Sequence, residues 1–518
     1  MRVSPTIFVA AVVLLVPSCT GATGAARSQT DPSGSDESAP PVTPVSAVAA
    51  VADPRPNFVV IVTDDQVLST LTEMPHVKDL LARGTFFDQA IISNPLCCPS
   101  RATILTGQYS HTNRTYTNTD GGPTLGGYAA FHDAGNERKT IAKQLDDAGY
   151  RTGLFGKYFN NYWPHDIERN GMPVGWDVWH GFTGSNPDYY DYSWVDWRKG
   201  DRLDDGNFTE HNAANGNNVY STDYAGRFAD AFIDSAAAKG QPFFAFYAPF
   251  GPHSAFTPAP RDQDVTAPTN MGWKTPAYDE ADVSDKPSYI RREPLARFDG
   301  ERTARFSERW DDTFGALTSV DRWVGAFARS APANTVFVFI SDNGQTWGDH
   351  RFDYKLVPYE RSIHVPFIVA APGGPRQHSD SMVTNADIAP TILDFAGLDH
   401  TTDPGGTPYD GASLAGIVTG TAPRNDAVHP QGILLEHISY PTKHEVPSYC
   451  GVRAHGWMYV GYKGGFEELY DLTNDPYELR NIAKSAPRAL DRFRLVAQSL
   501  CTPMPPGMAS DYFDRKLG

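Results

Sequence analysis

Four short apolar runs punctuate the chain, and each one ends in side chains capable of chemistry. Asn57-Phe58-Val59-Val60-Ile61-Val62 runs into Thr63-Asp64-Asp65, and Val336-Phe337-Val338-Phe339-Ile340 runs into Ser341-Asp342-Asn343. Thr152-Gly153-Leu154-Phe155 leads to Gly156-Lys157, while Phe243-Phe244-Ala245-Phe246-Tyr247 leads through a Pro/Gly turn to His253. Runs of this length, rich in β-branched and aromatic residues, predict buried strands. Helical segments such as Thr140 to Ala148, closed by Gly149, alternate with them, so the expected class is α/β, a sheet with crossover helices. Such sheets bind ligands beyond the carboxyl ends of their strands. Asp64, Asp65, Lys157, His253, Asp342 and Asn343 are therefore expected in one pocket.

The pattern shortens toward the C-terminus. The segment from Met382 to Leu393 resembles the late helix-forming segment of a known family, with Asp387 as a cap or packing contact rather than a ligand. After about Asn425, Gly432 to Leu435, Met458 to Tyr462 and Glu468 to Leu472 predict short antiparallel strands before a final helix. With 518 residues, 40% of them hydrophobic and 12% aromatic, the chain can build a large core. We expect a catalytic domain over 55–425 and a smaller α+β subdomain over 426–518. There is no internal repeat or coiled-coil heptad pattern.

The first residues carry a different signal. Arg2 precedes an apolar stretch from Ile7 to Val16 and a small-residue processing site, as in an export signal over 1–18. That stretch is short for a bilayer span, and Leu15-Val16-Pro17-Ser18-Cys19 has the form of a bacterial lipobox. Lipidation of Cys19 would anchor the protein on the extracytoplasmic face of a membrane. The alternative is secretion with Cys19 incidental. Residues 19–54 are rich in Ser, Pro, Ala and Asp and read as a flexible tether.

Charge and cysteine usage narrow the chemistry. Forty-four basic against 61 acidic residues give −17, which argues against non-specific binding to nucleic acid or to an anionic membrane. An anionic substrate would need local cations or a metal. Three carboxylates and an amide oxygen brought together repel one another without a cation, and an all-oxygen set points to a hard divalent ion, calcium before magnesium. Either Asp pair alone would read as a cap or turn; two pairs following apolar runs carry more weight. Export makes disulfides permissible, and Cys450 and Cys501 are available to pair. Cys97 and Cys98 are adjacent, badly spaced for zinc and awkward for a mutual disulfide. Pro99 suits a helix's first turn, and the helix can run to Gly107, placing Cys97 at its positive end near Arg101, where an anion, thiolate or bound oxyanion, is favoured.

Cys97-x-Pro99-Ser100-Arg101 followed by Leu105-Thr106-Gly107 resembles the signature of type I sulfatases, whose cysteine is oxidised to formylglycine before folding. The resemblance runs through most of the chain from about Pro56. The doubled cysteine, Gly156-Lys157-Tyr158-Phe159-Asn160-Asn161-Tyr162 and Pro252-His253-Ser254 are most similar to N-acetylglucosamine-6-sulfatases and related heparan sulfatases. It implies an alkaline-phosphatase-like sulfatase fold, a large mixed sheet flanked by helices with a smaller C-terminal antiparallel sheet. It also implies that Asp64, Asp65, Asp342 and Asn343 bind one calcium ion with modified residue 97, and that Arg101 and Lys157 hold formylglycine and sulfate. His253 and Lys355 match further sulfate-binding positions. Cys97, with Pro two and Arg four residues later, is the residue to be modified, by a formylglycine-generating enzyme. In the implied mechanism one hydroxyl of the hydrated aldehyde attacks sulfur and expels the alcohol; the second helps eliminate sulfate. His253 is the candidate proton donor to the leaving alcohol, and Lys355 shares the sulfate charge.

One position departs from the family: many sulfatases carry His two residues after the conserved Lys, where this chain has Phe159. His111 is a candidate replacement, with a solvated loop histidine as the alternative. The expected activity is hydrolysis of sulfate esters on a small molecule or glycan, with 6-sulfated N-acetylglucosamine favoured by the motifs. The competing functions are a phosphodiester or phosphonate hydrolase on the same fold, and a surface protein that binds sulfated glycans without turnover. The aromatic stretch from Tyr189 to Trp197 offers sugar-stacking surfaces or ordinary core packing.

Overall fold

All four apolar runs are strands, and they lie side by side. The computed structural model describes residues 53–119, 126–204, 207–269, 271–295, 300–442 and 444–504. The export signal, Cys19 and the tether up to residue 52 lie outside the described residues. Ten strands form one mixed sheet: β1 (Asn57–Thr63), β2 (Thr85–Ile91), β3 (Arg151–Gly156), β4 (Val178–Thr183), β5 (Tyr192–Arg198), β6 (Phe208–His211), β7 (Phe243–Ala248), β8 (Thr335–Ser341), β9 (Phe367–Ala370) and β10 (Gln377–Thr384). Their order is β10-β2-β9-β8-β1-β7-β3-β4-β5-β6. The four predicted strands are the parallel centre, β8-β1-β7-β3.

Alternate residues of these strands feed two cores, as the two-residue period of a strand requires. Val59, Ile61, Ala245, Tyr247, Phe337 and Phe339 pack under the helices Ser221–Ala238 and Gly300–Ser330. Phe58, Val60, Val62, Phe244, Phe246, Val336, Val338 and Ile340 face the opposite layer, which includes the helices Cys97–Thr106, Ile141–Asp147 and Ile388–Phe395. With both faces covered, the central strands have no polar alternation, which is why they stand out as continuous apolar runs.

Strand register sets the site. Thr63 of β1 is paired with Ser341 of β8, so Asp64 and Asp342 leave the sheet as neighbours; the Asp342 N–H donates to Thr63 O at 3.0 Å. Gly156 of β3 is paired with Ala248 of β7, and the Lys157 N–H donates to Ala248 O at 2.7 Å. The helix Cys97–Thr106 follows β2 and ends at Gly107 in the left-handed conformation (φ 68°), where a residue without Cβ is favoured.

A second sheet, β11 (Ile433–His437), β12 (Tyr449–Ala454), β13 (Trp457–Tyr462) and β14 (Glu467–Asp471), is antiparallel throughout and is followed by the helix Pro487–Leu500. Three of its strands match predicted segments; β12, with Gly451 and Arg453 inside it, escaped the hydrophobic pattern. Cys450 in β12 and Cys501 after the last helix form a disulfide with Cα atoms 6.5 Å apart. One expectation needs correction. Met382 to Thr384 complete β10, and the helix begins only after the Asn385–Asp387 turn; Asp387 does cap, accepting from the Thr384 N–H at 2.8 Å. Most of the stretch from Tyr189 to Trp197 is strand and core, not a sugar surface: Tyr189, Tyr192 and Trp194 are buried, because β5 pairs with β4 under the helix Ser221–Ala238. Among the described residues no helix is long and apolar enough to cross a membrane.

Gly156 has φ 114°, and a Cβ there would lie 2.1 Å from Ala248 O. Gly156→Ala is expected to displace the neighbouring Lys157 and to lower kcat/KM by at least about tenfold, a barrier change of about 1.4 kcal/mol. Steady-state kinetics beside a thermal melt would check it; unchanged kcat/KM in a folded variant would refute the constraint.

Candidate active site

The carboxyl ends of β1, β3 and β8 and the start of the Cys97–Thr106 helix converge on a buried charge cluster. Asp64 takes Lys157 Nζ at 2.6 Å and Arg101 Nη2 at 3.2 Å. Asp342 takes Arg101 Nε at 2.9 Å, and the Arg101 Nη1 donates to Lys157 O at 2.8 Å. Asp65, in the left-handed region at φ 63°, receives Lys355 Nζ and, at 2.6 Å, Asn343 Nδ2. Lys355 Nζ also reaches Cys97 Sγ at 2.9 Å, and that sulfur lies 3.5 Å from Asp64 Oδ1. His253 closes the ring, its Nε2 3.5 Å from Asp65 Oδ2 while Nδ1 meets Ser254 O at 2.7 Å. The Tyr189 hydroxyl donates to His253 O at 2.9 Å and braces this turn. Asp64, Asp65, Cys97, Arg101, Lys157, His253, Asp342, Asn343 and Lys355 are thus in one contact network, and His111 is not part of it.

Burial and charge compete at each group. Burial alone would raise the Asp64 pKa, but Lys157, with His253, Arg101 and Lys355, outweighs it and holds the carboxyl well below its usual range. Asp342 moves the other way, pushed up by burial and by the charge of Asp64. Burial also lowers His253. The helix N-terminus and nearby cations led to the expectation of a favoured anion at residue 97, thiolate or bound oxyanion; burial works against the thiolate. Burial, then Asp64, push Cys97 up to about 11 despite Lys157 and Lys355, so it stays protonated at neutral pH. Cys98 is a packed neighbour, its sulfur accepting from the Asn160 N–H at 3.2 Å while its own N–H donates to Asn118 Oδ1 at 2.8 Å. Asn118 carried no signal in the sequence.

The residues fit a hard cation. Ligand atoms of Asp64, Asp65, Cys97 and His253 lie within 4.8 Å of one another. Asn343 Oδ1 is buried without a hydrogen-bond partner, an acceptor beside carboxylates whose natural complement is positive charge.

Residues 56–398 match the Sulfatase family model, and residues 348–495 match that of N-sulphoglucosamine sulphohydrolase, C-terminal. The chain belongs to the sulfatase family. An arylsulfatase of Volvox carteri is 32% identical over 507 residues, covering 87% of this chain and 74% of that protein. An N-acetylglucosamine-6-sulfatase of Capra hircus is 29% identical over 502 residues, covering 88% and 85%. A solved structure of a protein in complex with its substrate D-glucosamine-2-N,6-O-disulfate shares the fold, with a TM-score of 0.65 at 21% identity over 89% of this chain and 99% of that one. The enzyme is a sulfuric ester hydrolase.

Phe159 belongs to the core and His111 to a pair with a carboxylate. Phe159 is buried against Phe131, ring centroids 4.5 Å apart, in an aromatic cluster with Tyr158. His111 is turned toward Glu436, with Nδ1 3.2 Å from its carboxylate. Burial opposes its charge, but Glu436 more than offsets this and raises the imidazole's pKa. Its recorded side-chain contacts are with Glu436 and Tyr109, and none links it to the charge cluster.

The segment that carries Lys355 is held from behind. Trp347, His350, Arg351 and Leu356 all have positive φ, each a strained conformation for a residue with a side chain. Arg351 donates to the carbonyls of Glu280, Ala281 and Glu293. His350 Nδ1 is 2.7 Å from Glu280 and Nε2 is 3.9 Å from Glu478. Burial works against the His350 charge, yet the hydrogen bond to Glu280 and the nearby Glu478 carboxylate raise its pKa to about 9. A folded-state value above the ordinary 6.5 gives stability that is complete below 6.5 and lost as pH rises through about 9. This contribution is on the order of 3 kcal/mol. Urea unfolding at pH 6 and pH 10 should show wild type losing that much more stability than His350→Gln; parallel losses would refute the linkage.

Proposed function

We propose that the sulfatase is exported and removes 6-sulfate groups from N-acetylglucosamine in sulfated glycans, using residue 97 as formylglycine and one calcium ion. The observation that carries this reading is the position of the buried Cys97 thiol, at a helix N-terminus with Lys355 Nζ 2.9 Å from its sulfur and with Arg101 and Lys157 on the neighbouring Asp64. Such a thiol is a poor nucleophile, whereas its position suits an oxygen nucleophile facing an anion. A formylglycine-generating enzyme that oxidises the Cys97 CH2–SH to an aldehyde, with an external oxidant taking the electrons and the sulfur leaving as sulfide, supplies that oxygen once water hydrates the aldehyde.

Asp64, Asp65, Asp342 and Asn343 Oδ1, with residue 97, would hold the calcium, which when bound lends positive charge to the sulfuryl oxygens. His253 is a nitrogen donor and less suited to a hard ion, so we assign it to the substrate. The carboxylates of Asp64, Asp65 and Asp342 are matched by the charges of Arg101, Lys157 and Lys355. A divalent cation therefore leaves the pocket positive, as an anionic substrate in an acidic protein requires. Lys157 and Lys355 contact the sulfate, and Arg101 orients Asp64, Asp342 and the Lys157 carbonyl. His253 Nε2 faces the cluster while Nδ1 is tied to Ser254, an orientation suited to protonating the leaving alcohol. Burial lowers its pKa, and the negative charge of a bound sulfate ester opposes that shift.

N-acetylglucosamine-6-sulfatases among the relatives support the sugar and the sulfate position. The Cys450–Cys501 disulfide supports an oxidising compartment, in line with the export signal and with lipid attachment at Cys19.

Cys97→Ser should lose at least about a thousandfold in kcat on an aryl sulfate, while Cys98→Ser stays within about threefold. Peptide mass spectrometry should find formylglycine at residue 97 of active protein, and an unmodified thiol there would overturn the mechanism. Prolonged chelation should abolish turnover, with calcium restoring it better than magnesium. Failure to hydrolyse 6-sulfated N-acetylglucosamine would reject the substrate.

A further inference from the structure

Of the ten tryptophans, Trp163 alone is exposed, at 39%. A single exposed apolar side chain is ordinary; its location here is not. The chain leaves β3 at Lys157, and the Asn160 N–H touches Cys98 Sγ beside the nucleophile. Trp163 follows three residues later, so its backbone is within roughly 10 Å of that contact. The segment is rigidly set: the Asn161 N–H donates to Ser185 O at 3.2 Å and the Gly184 N–H to Tyr162 O at 2.7 Å. The Trp163 N–H donates to Asp166 Oδ2 at 2.9 Å, capping the helix Pro164–Asn170. The His165 ring lies nearly parallel to the indole, at 11° and 6.3 Å, and extends its flat surface. Two side-chain amides lie in the same segment: Asn160 Nδ2 is 3.2 Å from Asn186 Oδ1, and Asn161 Nδ2 donates to Asn118 O.

We propose that Trp163 is a saccharide-stacking platform for the sugar adjoining the sulfated residue, and that it makes the enzyme prefer oligosaccharides to monosaccharides. The inference rests on the glycan reading above. An indole presents a broad apolar face to the C–H face of a pyranose, and neighbouring side-chain amides donate to and accept from ring hydroxyls. The indole takes no part in the cap, which is a backbone N–H bond, so truncating it leaves the helix start in place.

The test compares wild type, Trp163→Ala and Trp163→Phe on an aryl sulfate, on N-acetylglucosamine-6-sulfate and on a tetrasaccharide carrying that residue internally. The expected result is a loss of about fivefold or more in kcat/KM on the tetrasaccharide alone for Trp163→Ala, through KM, with most of it retained by Trp163→Phe. Equal kcat/KM for wild type and Trp163→Ala on the tetrasaccharide, or an equal loss on all three substrates, overturns the inference and leaves the glycan reading intact. A wild type that cleaves the aryl sulfate but neither sugar overturns the glycan reading and this inference with it.

Discussion

Three buried carboxylates opposed by three buried cations are the constraint around which this enzyme is arranged. Asp64, Asp342, Arg101, Lys157 and Lys355 are at most 1% exposed and Asp65 is 7% exposed, so none has water to fall back on. An unpaired charge in such a place costs several kcal/mol, which forces each to keep its partner. The pairing is not one-to-one: Arg101 joins Asp64 to Asp342, and Lys355 joins Asp65 to Cys97. Displacing one strand end would leave charges uncompensated in several others.

The sheet supplies the required precision. Parallel pairing of β1 with β8 and β7, and of β7 with β3, brings four chain segments out at one edge in a fixed register. Acid groups come from β1 and β8, while β3 and the helix after β2 bring Lys157 and Arg101. Lys355 comes instead from a loop, and there the backbone is forced into positive φ at four non-glycine residues and tied down by Arg351 and His350. A cation on a loop needs that external support, because no ladder of strand hydrogen bonds fixes it.

The same packing separates two adjacent cysteines. Cys97 points into the charges, and Cys98 is enclosed by Asn118 and Asn160. Neither is an available thiolate, since burial raises both, Cys98 to about 12. Cys97 is thus the cysteine that faces the charge cluster, and Cys98 the one that packs away from it. Phe159, bound into aromatic packing, shows that a position close to Lys157 in sequence can belong to the core.

The central strands were legible in the sequence because burial on both faces leaves continuous apolar runs, and Asp64, Asp65, Lys157, Asp342 and Asn343 were legible because they follow those runs directly, His253 because it follows one through a Pro/Gly turn. Cys97 and Arg101 were readable from a compact motif within one helix. Lys355 was identified through family resemblance alone, since its loop has no periodicity and its place is decided by contacts with distant residues such as Glu280 and Glu478. β12 and the burial of Tyr189 to Trp194 were likewise decided by neighbouring strands. Local pattern determined which residues would form strands and helices and which reactive groups would end them. Only the tertiary structure decided the ionisation of Cys97, the pairing of each charge and the orientation of His111 toward Glu436, because burial and through-space charge depend on groups hundreds of residues apart in the chain.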